Sequence, residues 1–284
     1  MTTFTIFADT NDGYITCDDG GAGNYASARA GTATLTTDIA ATSMTVGQFN
    51  NTATFNQVAE GFLSFDTSAI GTGAVISTAT LSLYAQSLWV GPNYAIEARA
   101  YDWGSGLTSA DFVAGASLSA LTFLASIQAS MVTVGAYNAL TSAGAFLAAI
   151  NVTGPTRIIL DSSRTVAGSA PSTNEQAQFY TSDASGTSQD PKLVIDAVAN
   201  LSMAAGLGTY SIAGQPAVLV TGARLAASVG TFTIAGQAAN LINSAANTNM
   251  SAARGAFAIS GQPAALTVRI WAPVDPPATI WTPL

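Results

Sequence analysis

The feature that most constrains this chain is a segment that occurs three times in its last third. Met203 to Leu219 reads MAAGLGTYSIAGQPAVL, Leu225 to Leu241 reads LAASVGTFTIAGQAANL, and Met250 to Leu266 reads MSAARGAFAISGQPAAL. The internal glycines Gly208, Gly230 and Gly255 recur at intervals of 22 and 25 residues. Alternation of aromatic, variable and Ile positions predicts a strand, and the Gly-Gln pair after it predicts a turn. Each repeat therefore reads as a two-strand unit with no group able to do chemistry. One such unit cannot bury its apolar face, so the three are expected either to close a small sandwich within the chain or to pair with the repeats of neighbouring chains.

Charge separates this region from what precedes it. Residues 1–198 carry 15 Asp and Glu against 5 Lys and Arg, whereas residues 199–284 carry 1 against 3. A boundary near residue 198 follows, with an acidic domain over 1–198, a repeat domain over 199–270 and a tail over 271–284. An acidic domain repels nucleic acid, and Arg224, Arg254 and Arg269 are too sparse to track a phosphate backbone. The tail holds Trp271, Trp281 and the prolines Pro273, Pro276, Pro277 and Pro283. Such a segment suits docking on a partner surface.

Within residues 1–198, period-two alternation predicts strands at Phe4–Ile6, Ala79–Ala85, Ala95–Tyr101, Arg157–Leu160 and Lys192–Ala197. Turn chemistry separates them at Asp18-Asp19-Gly20-Gly21, Gly71-Thr72-Gly73, Gly91-Pro92-Asn93, Gly154-Pro155 and Gln189-Asp190-Pro191. Thr108 to Asp111 has the pattern of a helix cap. Thr141 is expected to cap a helix over Ser142–Ile150, with Phe146, Leu147 and Ile150 on one face. Many short strands with such punctuation indicate an all-β chain, an antiparallel jelly roll or sandwich followed by a smaller β-repeat domain.

Three blocks in this region carry a family resemblance. GFLSFDTSAI at 61–70, AVISTATLSLY at 74–84, and FYTSD at 179–183 with DPKLVI at 190–195 resemble, in order and spacing, the DNRLRE-type domain, a β jelly roll related to carbohydrate-binding modules. The resemblance implies the fold and names no ligand. The C-terminal repeats similarly resemble Gly-Thr-Phe-x-Ile-x-Gly-Gln repeats of tailed-phage structural proteins.

Composition and motif exclude most catalytic chemistry. The chain contains no histidine, which removes Ser-His-Asp and Cys-His catalysis and His-based zinc sites. The single cysteine, Cys17, permits no internal disulfide and reads as a space-filling side chain. Glu60, Glu97 and Glu175 are the only glutamates, and Glu97 reads as a solvated residue on the outer face of its strand. Asp9, Asn11, Asp12, Asp18 and Asp19 could offer oxygens to Ca²⁺, although Asp, Asn and Gly also simply make turns. Trp89, Tyr94, Tyr101 and Trp103 could form a sugar-stacking platform, although a packed strand corner fits the same residues. No catalytic, cofactor or metal site is assigned.

The N-terminus has neither a basic region nor an apolar run of signal length, and no stretch approaches the length of a membrane span. The expectation is a non-enzymatic structural protein of a tailed-phage virion, made in the host cytoplasm. It would be a head decoration protein or a fibre or neck appendage, with the jelly roll displayed outward and the C-terminal region used for attachment. Its partners would be other virion proteins, copies of itself and possible host-surface glycans, without nucleic acid or membrane insertion. The alternative is a carbohydrate-binding or adhesin module acting at a cell surface.

Overall fold

The computed structural model describes residues 1–51, 55–91 and 93–198, and the backbone of nine strands between 202 and 266. The chain divides into two compact units, Met1–Ala199 and Asn200–Leu284. The Trp- and Pro-containing tail over 271–284 lies outside the described residues.

The first unit is built from thirteen strands. They are β1 Thr2–Phe7, β2 Gly13–Asp18, β3 Thr34–Asp38, β4 Ser43–Asn50, β5 Asn56–Asp66, β6 Val75–Leu88 and β7 Ala95–Ala100. After these come β8 Phe123–Gln128, β9 Tyr137–Ala139, β10 Thr141–Ser142, β11 Pro155–Ser162, β12 Glu175–Tyr180 and β13 Lys192–Val198. Their order is β1-β13-β6-β12-β4-β5-β11-β7-β8-β10, with β2 joining β5 to β3 and β9 lying on β6; every pair is antiparallel. The strand β6 bridges the two layers. Its first half pairs with β13 and its end with β12, and each ladder holds one register shift, at Asp196/Ala197 and at Gln178/Phe179.

Alternation decides which side chains enter the core between the layers. Leu81 and Leu83 of β6, Met44 and Val46 of β4, Leu63 and Phe65 of β5, Ile158 and Leu160 of β11, and Leu193 and Ile195 of β13 are fully buried there. Each such side chain stabilises the fold by about 1.5–3 kcal/mol over leaving it in water. A second cluster lies on the other face of β5 and β11, where Phe62, Ile159 and Ile15 pack with Trp103, Leu107 and Leu118. Covering on both faces explains why β5 reads as a nearly continuous buried run.

Short helices sit where the connections need them. Thr108 caps a 3₁₀ turn at Ser109–Asp111, and Asp111 reaches back to the Thr108 N–H at 2.8 Å, as the sequence pattern predicts. The second expectation is corrected. Thr141 belongs to β10, paired with Ser126 of β8, and the helix is only Ala145–Ala149, with Gly144 at its N-cap. Pairing with β8 takes the backbone groups that a cap at Thr141 would need. Phe146 still faces the core as the periodicity requires.

The second unit departs further from expectation. The first repeat contains β14 Ser202–Ala205, β15 Gly208–Gly214 and β16 Val218–Leu219. The second contains β17 Arg224–Ala227, β18 Gly230–Gln237 and β19 Asn240–Leu241, and the third β20 Ser251–Ala252, β21 Gly255–Gln262 and β22 Ala265–Leu266. Equivalent strands pair in parallel, giving the three-stranded sheets β14-β17-β20, β15-β18-β21 and β16-β19-β22. The register is residue on equivalent residue: Gly208 on Gly230 on Gly255, and Ile212 on Ile234 on Ile259. Each repeat is thus one rung with three strands, not a two-strand unit. Parallel neighbours need a return path of a dozen residues or more, which a spacing of 22 to 25 residues supplies.

Candidate functional site

Four strand ends meet at one end of the first unit: the end of β4, the start of β5, the start of β12 and the end of β6. The backbone N–H of Asn50 donates to the Thr173 carbonyl at 3.3 Å, and the Trp89 N–H donates to the Gln176 carbonyl at 2.9 Å. Gly91 brings the Trp89 loop against the same segment, because a Cβ there would stand 2.6 Å from Thr173 Oγ1. Between these ends lies a cleft of about 560 Å³ lined by Phe49, Asn50, Asn51, Pro171, Ser172, Thr173 and Asn174.

Its floor is fixed from beneath. Asp19 accepts from the N–H groups of Gly21, Asn24 and Asn56 and from the Asn56 side chain, at 2.7–3.0 Å. Asn56 in turn accepts from Asn50 Nδ2 at 2.9 Å. Burial opposes ionisation of Asp19, yet these donors hold its carboxyl below the usual range. Phe49 and Phe55 pack edge to face with centroids 6.0 Å apart. On the far side, buried Glu175 accepts from Arg164 Nε and Gln48 Nε2, both at 2.7 Å. Tyr25 donates to Gln48 at 2.7 Å, and burial pushes its hydroxyl up to about 12.

The lining itself is uncharged. It combines three Asn amides, two hydroxyls, an aromatic ring and a proline ring. Asn174 Oδ1 is buried and has no hydrogen-bond partner among the described residues. An orphaned buried amide oxygen costs about 1–3 kcal/mol. The chemistry suits a neutral ligand rich in hydroxyl groups.

No family model matches the chain, and no curated protein matches it. Among solved structures, it is similar to a carbohydrate-binding module from the β-sandwich superfamily at 13% identity and a TM-score of 0.21. The match covers 70% of this chain and 56% of that one, so the chain spans little more than half of that structure's length.

The residues singled out by sequence disperse. Trp89 is 41% exposed beside the cleft, whereas Tyr94 and Trp103 are buried. Trp103 packs edge to face on Phe62 at 5.4 Å, stacks on Tyr101 at 6.5 Å and lies under the Arg157 guanidinium. Tyr101 and Trp103 therefore form a corner of the fold, Tyr94 lies in the core between the layers, and the four do not share a platform.

Of the acidic residues, Asp9 and Asp12 come together beside Ser182. Asp9 accepts from Asn11 N–H and Ser64 Oγ, and both Asp12 oxygens accept from Ser182. Asp18 accepts from the Gly20 N–H, while Asp19 is held as described above. Among the described residues, no group of three or more His, Cys, Asp or Glu is arranged to hold a metal. Cys17 is buried, which raises its thiol pKa and keeps it a packing residue.

Glu97 is corrected from a solvated residue to an ion-paired one. It pairs with Arg99, which also holds Asp161 at 2.8 Å. Burial raises Asp161 to about 7 against the pull of Arg99, with Glu97 adding to the rise, and burial raises Glu60 well above its ordinary value, with Asp161 adding to it. Raised carboxyl groups are what acid catalysis requires. Here Glu60 and Asp161 are almost wholly enclosed, Glu60 accepting the Val113 N–H at 2.9 Å, and no substrate bond could reach them.

A second polar surface crosses β6, β12 and β4. Ser87 donates to Gln178, Gln178 to Thr45, and Gln176 to Gln57. Beside it Tyr84 packs against Tyr137 and Tyr180 at 5.2 and 5.8 Å, and Lys192 Nζ lies 3.8 Å from the Tyr137 centroid. These amides already satisfy one another, which leaves the end cleft as the better-equipped site. Sequence reasoning missed it because 49–51 and 171–174 are distant in the chain and match no motif.

Proposed function

We propose that the first unit is a non-catalytic carbohydrate-binding module whose end cleft takes a neutral glycan. The observation that carries this is a cleft lining of three Asn amides, two hydroxyls and two rings without a charged group. Sugars are recognised by such donors and acceptors around their hydroxyls and by flat apolar surfaces against their C–H faces. A cleft of this size falls within the range that holds a small ligand, here a few sugar rings. The enclosed positions of Glu60 and Asp161, and the ion pairing of Glu97 and Glu175, support binding without bond cleavage.

The setting we propose for this module is a tailed-phage particle, on the resemblance of its repeats. There the jelly roll would meet host-surface glycans while the repeats connect it to other virion proteins. Antibody against residues 1–198, viewed on negatively stained particles, tests this setting.

A glycan array probed with the full chain tests the binding. Retention of neutral oligosaccharides, with about tenfold weaker binding by Asn174→Ala, is expected from loss of one hydrogen bond worth ~1.4 kcal/mol. Silence across the array, or equal binding by the variant, overturns the reading. Release of shortened sugars from a bound glycan overturns its non-catalytic part.

A further inference from the structure

The second unit shows, twice, what one of its rungs accepts as a neighbour. β18 pairs in parallel with β15 on one side and with β21 on the other. Among the described residues, β15 and β21 each have β18 as their sole strand partner. Among the described residues no strand pairs with their other edges, and an unpaired edge templates further pairing.

Three properties make a second copy the fitting occupant. The strands share one pattern, Gly at the first and seventh positions, an aromatic at the third and Ile at the fifth, in GTYSIAG, GTFTIAGQ and GAFAISGQ, so the outer edge of β21 resembles the edge of β18 that receives β21. None contains a charged residue or a proline, the residues by which edge strands refuse partners. Their register is unshifted over the whole length, the arrangement in which like residues stack on like.

We propose that the stack continues between molecules, with β21 of one copy pairing in parallel and in register with β15 of a second copy. Thr209 of the second copy then stands beside Ala256, as Thr231 does within the chain. The contact is head to tail, so it closes into a ring or grows into a fibre.

Cysteine cross-linking in the full chain tests the register. Neighbouring strands lie about 4.8 Å apart, within disulfide reach, whereas positions 209 and 256 of one chain are two rungs and about 10 Å apart, beyond it. Mild oxidation of a mixture of Thr209→Cys and Ala256→Cys chains should give covalent dimers joining one of each. Neither variant alone should do so, and the double variant should give a ladder of multimers. Absence of dimers in the mixture overturns the proposal, and so does linkage by either single variant alone, which marks an edge paired with its own copy. Sedimentation of the unmodified chain is the second test: species larger than the 28.6 kDa monomer are expected, and a monomer at every concentration refutes the stack.

Discussion

Asp12 should make the first unit less stable as pH rises from acid to neutral. Its carboxyl is wholly buried, and desolvation pushes it up to about 7 against an ordinary value of 3.8, despite two hydrogen bonds from Ser182 and with added repulsion from Asp183 and Asp9. The folded state therefore binds a proton that the unfolded chain releases between these values. The contribution is fully present below pH 3.8 and is lost as pH rises through about 7. At ~1.4 kcal/mol per pH unit the loss reaches a ceiling of about 4 kcal/mol. Asp12→Asn removes the titration while preserving shape, because its amide oxygen still accepts the Ser182 N–H and its NH₂ can donate to Ser182 Oγ. Urea unfolding would be followed by fluorescence with Trp271 and Trp281 replaced by Phe, leaving Trp89 and Trp103 of the first unit as reporters. The variant should match its parent near pH 4 and exceed it by up to about 4 kcal/mol near pH 8. Parallel stability curves across this range would refute the reasoning.

Other substitutions test the frame around the cleft. Gly47 has φ +119°, and a Cβ there would stand 2.3 Å from the Glu175 carbonyl oxygen, so Gly47→Ala should destabilise by about 2–5 kcal/mol in the same unfolding assay. Phe62→Ala empties the centre of the second cluster and should cost about 3–5 kcal/mol, with glycan retention unchanged in conditions where the variant is folded. Thr67 Oγ1 lies 2.6 Å from the Asn151 carbonyl, 2.9 Å from that of Gly154 and 2.7 Å from Thr156 Oγ1. Thr67→Val leaves these groups short of a partner and should lower the unfolding midpoint by about 1–3 kcal/mol equivalent.

Much of the first unit was legible because its strands obey simple alternation. Leu81 and Leu83 enter the core while Ser82 and Tyr84 face away from it, and the same period-two rule placed β11 and β13. The capping pattern at Thr108 and Asp111 was legible because it is a local exchange of two hydrogen bonds. Thr141 was misread because a tertiary pairing with β8 outweighed the local helix signal. The repeats showed their period but not their pairing direction, since an alternating strand looks alike whether its neighbour is parallel or antiparallel. The cleft was illegible for another reason. Its Asn, Ser and Thr residues look like ordinary turn formers until folding brings β4 against the segment before β12 and leaves Asn174 Oδ1 without a donor.

The most direct test of glycan binding at the end cleft is an NMR titration of the ¹⁵N-labelled full chain with neutral oligosaccharides that the array retains. The side-chain NH₂ signals of Asn50, Asn51 and Asn174 should shift together and saturate at one affinity, while the backbone signals around Tyr84, Tyr137 and Tyr180 stay in place. Shifts confined to the tyrosine surface, or no saturable shift in the three Asn side chains, would contradict the assignment of the cleft.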